Sequence, residues 1–470
     1  MGDKNADAGI LFAEQFNSVK YEDLPGEVTA AAKQQILDYF GVALAGAMKD
    51  GAKEVRELAI ETGGVPQSTI IGAGAKVPAP NAAQANATMT HSLDFDDVHE
   101  AAIMHPGVIS ISSALAAGEP AGGLSGKKFI TAVALGADMI CRMGLATRPG
   151  ENVHKYGWHL TTLNGYITSA AVASFVMGMN VERTVNAMGI AYHQSSGNGQ
   201  AVKDGAHTKR LGPGFSVRGG IYAAMLAERG VTGARNNLEG IQGLYNVYHA
   251  GSYSHDLLVG ELGKRYETVN VSIKPYPCCR GVHPCIDCAL SVVREHKVNA
   301  DNVKSITIEV GKGPMGLLGE PLEHKANPRN VVDSQFSLAW GVATAIAKGR
   351  AALKDFTEEA IKDTVTLGVA AKVKLNYDPS LDGTGLEPAR VIVETVDGAV
   401  YTAFAEMATG SPDRPLSFDD CERKFRDCLL SMEGVSLKSA QADELVSSIR
   451  DLEKLDDAVK LLKLTLWDKN

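Results

Sequence analysis

Three short segments concentrate the side chains that do chemistry. HSLDFDDVHEAAIMHPG carries His91, Asp94, Asp96, Asp97, His99, Glu100 and His105. Carboxylates and imidazoles at this density suit three uses: ligating zinc or iron, moving protons, or building a buried hydrogen-bonded network at a helix start. Neither an HExxH pair nor a facial-triad spacing is present, and the residues alone leave all three open. HKYGWHLTTLNG sets His154, Lys155, Tyr156, Trp158 and His159 ahead of an apolar run. A histidine beside a Thr-Thr helix start can point into a cleft; the plain alternative is a core imidazole bonded to a carbonyl. KDGAHTKRLGPG gathers Lys203, His207, Lys209 and Arg210. Its LGPG reads as a helix stop that exposes backbone amides to an oxyanion, with a solvated basic loop as the alternative.

A fourth stretch, YPCCRGVHPCIDCAL, holds four of the seven cysteines and raises the question of zinc or an iron–sulfur cluster. Cys285 and Cys288 stand at i and i+3 on an expected helix, beside Ile286, Ala289 and Leu290. Cysteine on such a stripe packs as a small hydrophobe. Cys278 and Cys279 are adjacent, and neighbours in sequence do not easily aim at one ion. The thiols are expected to be packing.

These segments need elements to hold them. A chain of 470 residues exceeds one ordinary core, so two domains are expected. A formal net charge of −9 with no basic stripe argues against nucleic acid. MGDKNADAGILFAEQF lacks the basic flank and apolar core of a leader, and no apolar run reaches the ~20 residues that span a bilayer. A cytoplasmic protein without structural disulfides and without a membrane partner is expected. LPGEVTAAAKQQILDYFGVALAGA spaces Val28, Ala32, Ile36, Leu37, Phe40 and Leu44 near the helical period, with Pro25 at the start. The Ala- and Gly-rich helices that follow imply a closely packed bundle. QSTIIGAGAKVPAP has Val77 where a dinucleotide fingerprint needs a small residue, so Gly72 and Gly74 read as a turn.

Near residue 265 the character changes. ETVNVSIKPYP, VKSITIEVG, AKVKLNYD, ARVIVETVDG and AVYTAFAEM read as strands, and VDSQFSLAWGVATAIAKG as a helix. The last fifty or so residues return to amphipathic helix. The expected fold is mainly α: a large all-α helical domain from 1–268 and 412–470, and a smaller α+β domain over 269–411.

LPGEVTAAAKQQILDYFGVALAG, NATMTHSLDFDDVHEAAIMHPG, ERGVTGARNNLEG and KPYPCCRGVHPCIDCAL resemble, in order and spacing, the MmgE/PrpD family. That family includes 2-methylcitrate dehydratases, cis-aconitate decarboxylases and an iminodisuccinate epimerase. The resemblance implies an all-α domain made from both ends of the chain, an α+β lid, a homodimer, and neither metal nor other cofactor. It implies catalytic roles for Asp94, His105, His159, Lys209, Lys274 and His283. His99, Tyr156, Lys203, Arg210 and Arg280 are the further groups expected to bind substrate. Departures exist: Val98 stands where decarboxylase-type members carry Thr, His105 lies one residue farther from the aspartate, and Trp340 replaces a frequent Tyr.

The family's reactions share a carbanion formed next to a carboxylate, where cations and hydrogen-bond donors must meet the developing charge. Histidine, with an unperturbed pKa near ~6.5, can move the proton either way. His105 and His159 are expected to handle protons, with Asp94 orienting or stabilising one of them and His283 as a donor from the lid. The expected function is dehydration of a 2-methylcitrate-like di- or tricarboxylate. An epimerase and a cis-aconitate-type decarboxylase are the near alternatives. An iron–sulfur or zinc hydratase and a non-catalytic carboxylate-binding protein are the distant ones.

Overall fold

The computed structural model describes residues 6–147, 157–382 and 388–469. These are mainly helical, and they fall into two compact units. One unit comprises the described residues of Met1–Lys203, His207–Val271 and Ser417–Asn470; the other comprises those of Asp204–Ala206 and Ser272–Leu416. Among the described residues no helix is long and apolar enough to cross a membrane.

Helices α1 (Ala8–Ser18), α2 (Gly26–Gly46), α3 (Ala52–Thr62), α4 (Ala79–His91), α5 (Pro106–Gly118), α6 (Gly126–Leu145), α7 (Leu160–Val176), α8 (Val181–Gln194), α9 (Gln200–Asp204) and α10 (Thr208–Glu228) come first in the chain. Every residue of α5 is buried, and α7 is buried nearly all round. Such helices have no polar face and sit at the middle of a bundle. Small residues let them touch. α10 lies along α7 and α4, and a Cβ added at Gly220 would come within 2.4 Å of the Ser169 Cβ on α7. The helix Phe418–Leu430 lies along α2, where Gly41 meets the Phe425 backbone.

Two local readings resolve here. Strands β1 (Ser68–Thr69) and β2 (Lys76–Val77) form a hairpin, with Gly72 and Gly74 at φ of 76° and 66° in its turn. LGPG, expected to stop a helix, lies inside α10, which runs on to Glu228 with Pro213 within it. Pro213 cannot donate to the carbonyl one turn back, but that loss falls near the helix start. The flanking glycines meanwhile bring α10 against α4 and α7, and Gly214 abuts Thr88 while Gly212 abuts Thr162. Close packing decides the matter over local propensity, and the amides of LGPG are not presented as an oxyanion loop.

The second unit holds β3 (Val303–Val310), β4 (Val373–Tyr377), β5 (Ala389–Thr395) and β6 (Val400–Ala405) in the order β4-β3-β5-β6. β3 and β4 run parallel; the other neighbours are antiparallel. On β5, Ala389, Val391, Val393 and Thr395 alternate inward, as a sheet with one covered face requires. The helix His283–His296 packs on β5 and β6. VDSQFSLAWGVATAIAKG makes two helices, Val331–Gln335 and Leu338–Lys348, because the Ser337 hydroxyl accepts from the Trp340 amide at 2.9 Å and caps a fresh start. ETVNVSIKPYP is in none of the sheets formed by the described residues; it opens with a 3₁₀ turn at Glu267–Asn270. Pro275 and Pro277 lack the amide donors a ladder needs, which explains why alternation alone did not make a strand.

Candidate active site

The site lies in the first unit, where α4 ends and α5, α7 and α10 begin. α4 ends at His91, and the Ser92 hydroxyl ties the exit to the carbonyls of Met89 and Gly46 at 2.8 and 3.1 Å. The LDFDD turn follows. Asp94 has φ of 50°, a left-handed conformation that Asp tolerates better than most residues. That kink sends its carboxylates to different places. Asp94 Oδ1 accepts from Lys209 Nζ in the first turn of α10. Asp96 Oδ2 lies 2.8 Å from His91 Nδ1 and 3.2 Å from His105 Nδ1. Asp97 accepts from the Gly107 amide with both oxygens, at 3.0 and 3.1 Å, at the start of α5. A carboxylate at a helix N-terminus answers the orphan amides and the positive end of the dipole.

Two more helix starts present histidines. His105 precedes α5, and its amide donates to Thr161 Oγ1 of α7 at 3.1 Å. His159 precedes α7, with its Nδ1 2.7 Å from Thr162 Oγ1. The His91 ring stands edge-on to His105 with centroids 4.7 Å apart, and 6.1 Å from His159. The positive ends of three helices, one lysine, three imidazoles and two carboxylates therefore meet in one cluster, in which His91, Lys209 and the carboxylates are buried and His105 and His159 half-buried.

The electrostatics separate these groups. Burial lowers His91 to about 4 against the pull of Asp96, and lowers His159 well below its ordinary value, with His91 and Lys209 adding to the effect. Both imidazoles are neutral near pH 7. Burial would raise Asp96, but His91 and His105 outweigh it and hold the carboxyl well below its usual range. An ionised Asp96 beside a neutral His91 fixes the proton on Nδ1, which leaves Nε2 bearing a lone pair. That nitrogen is buried and has no hydrogen-bond partner among the described residues. Asp97 goes the other way: burial first, then Asp96 and Asp38, push it well above 3.8.

His91, Asp96 and His105 also form the grouping, among the described residues, whose donor atoms lie within 4.8 Å of one another as metal ligation requires. Both imidazoles already approach the same Asp96 oxygen, so a metal there would displace the His91–Asp96 hydrogen bond.

The other residues singled out by sequence fall elsewhere. His99 receives the Ala102 amide on Nδ1 at 3.1 Å and lies 3.3 Å from Glu267 on Nε2. Arg210 is buried and donates to the Asp50 carbonyl at 2.9 Å; Lys203 is exposed on α9. Tyr156, with His154 and Lys155, lies outside the described residues. Lys274, Arg280 and His283 belong to the second unit and are buried. There His283 Nε2 is 3.2 Å from the Cys278 carbonyl and its Nδ1 is 3.3 Å from Arg280 Nη1. Arg280 in turn donates to the carbonyls of Thr409 and Ala408 at 2.8 and 3.2 Å.

The cysteines behave as packing. Cys285 and Cys288 are in the apolar core of the second unit, where burial raises Cys285 well above 9 and Cys288 to about 12. Among the described residues no two cysteines form a disulfide, and none joins a metal-like grouping.

Sequence reasoning placed Asp94, His105, His159 and Lys209 together, and the cluster contains them. It gave no role to His91 or Asp96, although both were in the quoted motif; residue type cannot say which of three aspartates faces the imidazoles. It missed Lys424 altogether, whose Nζ donates to the Phe95 carbonyl at 2.7 Å. A lysine in an amphipathic helix carries no signal of such a contact.

A family model described as the MmgE/PrpD N-terminal domain matches residues 11–255, and one described as the MmgE/PrpD C-terminal domain matches residues 276–448. The cis-aconitate decarboxylase-like protein oryM of Aspergillus oryzae is 25% identical, over 97% of this chain and 97% of its own. A cis-aconitate decarboxylase of Aspergillus terreus is 24% identical over 98% of this chain and 97% of its own. The cis-aconitate decarboxylase of Homo sapiens is 25% identical over 96% and 93% respectively.

Proposed function

This chain belongs to the MmgE/PrpD family, and from that premise we propose that it is a cofactor-independent lyase acting on a di- or tricarboxylate through a carbanion next to a carboxylate. The observation that carries the reading is the meeting of His91, His105 and His159 beside the Asp94–Lys209 pair at three helix N-termini, with His91 and His159 held toward the neutral form. A neutral imidazole can take the weakly acidic proton. Lys209 and the helix ends meet the charge that develops on the neighbouring carboxylate.

In dehydration a base takes the proton, a C–O bond breaks, a C=C bond forms, and an acid gives its proton to the departing hydroxyl. That needs two proton handlers, and His105 and His159 supply them, with Asp96 and His91 supporting His105. Decarboxylation is the second reading, favoured by the names of the relatives. There a C–C bond breaks, carbon dioxide leaves, and the carbanion takes its proton from a donor in the cluster.

Purified protein incubated in deuterated water with 2-methylcitrate, citrate, cis-aconitate and iminodisuccinate distinguishes these outcomes by mass spectrometry. Water loss from 2-methylcitrate is the expected result, unaffected by prior chelator treatment and abolished by Lys209→Ala. Carbon dioxide release from cis-aconitate supports the second reading. Deuterium entry into iminodisuccinate without other change indicates epimerisation. Neither turnover nor deuterium incorporation with any of the four sinks carbanion chemistry. Visible absorption or stoichiometric zinc lost together with activity identifies a metal hydratase. Lys274→Ala tests the second unit separately.

A further inference from the structure

We propose that Lys424, paired with Asp38, is a positioning residue that holds the Asp94–Asp96 turn in its working shape; this rests on the proposed acid–base role of that turn. Lys424 stands on the helix Phe418–Leu430, and Asp38 in the middle of α2. Both are buried, at 7% and 2% exposure. The Lys424 ammonium makes three contacts: an ion pair with Asp38 Oδ1, a hydrogen bond to the Phe95 carbonyl at 2.7 Å, and the Phe95 ring face at 3.8 Å from its centroid. Two of the three are to one residue, and that residue separates the carboxylate on Lys209 from the carboxylate on His91 and His105.

A buried ion pair is poor evidence for stability, because apolar side chains of similar volume often do as well. What apolar packing cannot supply is a donor aimed at one carbonyl. The turn needs such an anchor because Asp94 holds a left-handed conformation that the surrounding structure must keep in place. The Ser92 hydroxyl secures its entry and the Asp97–Gly107 bonds its exit. Lys424 secures the midpoint. Without it the Phe95 peptide can rotate, and a rotation there turns Asp94 and Asp96 together.

Two variants test this. Lys424→Met leaves Asp38 buried without its cation, so its loss of activity is confounded by lost stability. The double variant Asp38→Asn/Lys424→Met removes the stranded charge as well. We expect the double variant to recover most of the thermal stability lost by the single one. Its kcat stays down on the order of 10- to 100-fold, as a small misplacement of catalytic groups produces, with KM little changed. Amide hydrogen exchange in the segment 92–99 rises in both variants while the helices α5 and α7 keep their protection. Wild-type kcat in the double variant, or unaltered exchange in 92–99, overturns the proposal. The exchange measurement needs no substrate, so it decides the matter even where no substrate is turned over.

Discussion

At the scale of single residues the site is a lesson in direction. Asp94, Asp96 and Asp97 fall within four positions, yet one meets a lysine, one two imidazoles and one a helix amide. The sequence showed the density of carboxylates but not their aim, because the aim follows from a single left-handed residue. The same burial that tunes the site makes it sensitive to acid. His91 is held at about 4 against an ordinary 6.5, so between those values the unfolded chain binds a proton there that the folded chain refuses. The stability contributed by a neutral His91 is complete above pH 6.5 and drains away as the pH falls toward 4. His91→Gln removes this linkage. Urea unfolding of wild type should show a larger loss between pH 7 and pH 5 than the variant does, by on the order of 1–2 kcal/mol. Equal losses in the two proteins show that His91 is not the group responsible.

At the scale of elements the helices were legible and their contacts were not. Apolar spacing marked α2, and the wealth of Ala and Gly marked close packing, but LGPG was read as a stop when it is an interface. What the sequence lacked was the neighbour: Gly212 and Gly214 are small because α7 and α4 are there. ETVNVSIKPYP failed in the opposite sense, with the right alternation and no ladder to join. Gly46 shows how such a contact reaches the site. It ends α2 against the last turn of α4, and an added Cβ would stand 2.1 Å from the Met89 carbonyl and 2.3 Å from Ser92 Oγ. The Ser92 hydroxyl can rotate away, but the Met89 carbonyl is backbone and retreats only by shifting the last turn of α4, which carries His91. Gly46→Ala should therefore destabilise the fold by about 1–3 kcal/mol and lower activity further than the stability loss explains. Thermal denaturation read alongside turnover well below the melting point separates the two effects. Normal turnover in a destabilised variant means that α4 yields without disturbing the turn.

At the scale of the whole molecule the decisive feature is that distant parts of the chain build one unit. The described residues of Ser417–Asn470 group with the N-terminal helices, although the matched C-terminal family model runs from 276 to 448 and so crosses that boundary. Amphipathic periodicity announced helices at this end of the chain; which surface they cover depends on contacts such as Lys424 to Phe95, 329 residues apart in sequence. Contacts of such separation carry a loop-closure cost before they stabilise the fold. Removing residues 417–470 uncovers the face of α2 that carries Asp38 and Gly41, and takes away the Lys424 ammonium from a buried carboxylate. The shortened chain should lose its cooperative thermal transition rather than merely melt earlier, and the missing segment supplied as a separate peptide should restore part of it. Circular dichroism melts with and without the peptide measure both. A shortened chain that melts as sharply as the full one would mean that the N-terminal helices form a complete core by themselves, and that the C-terminal helices are an addition to the unit rather than a part of its structure.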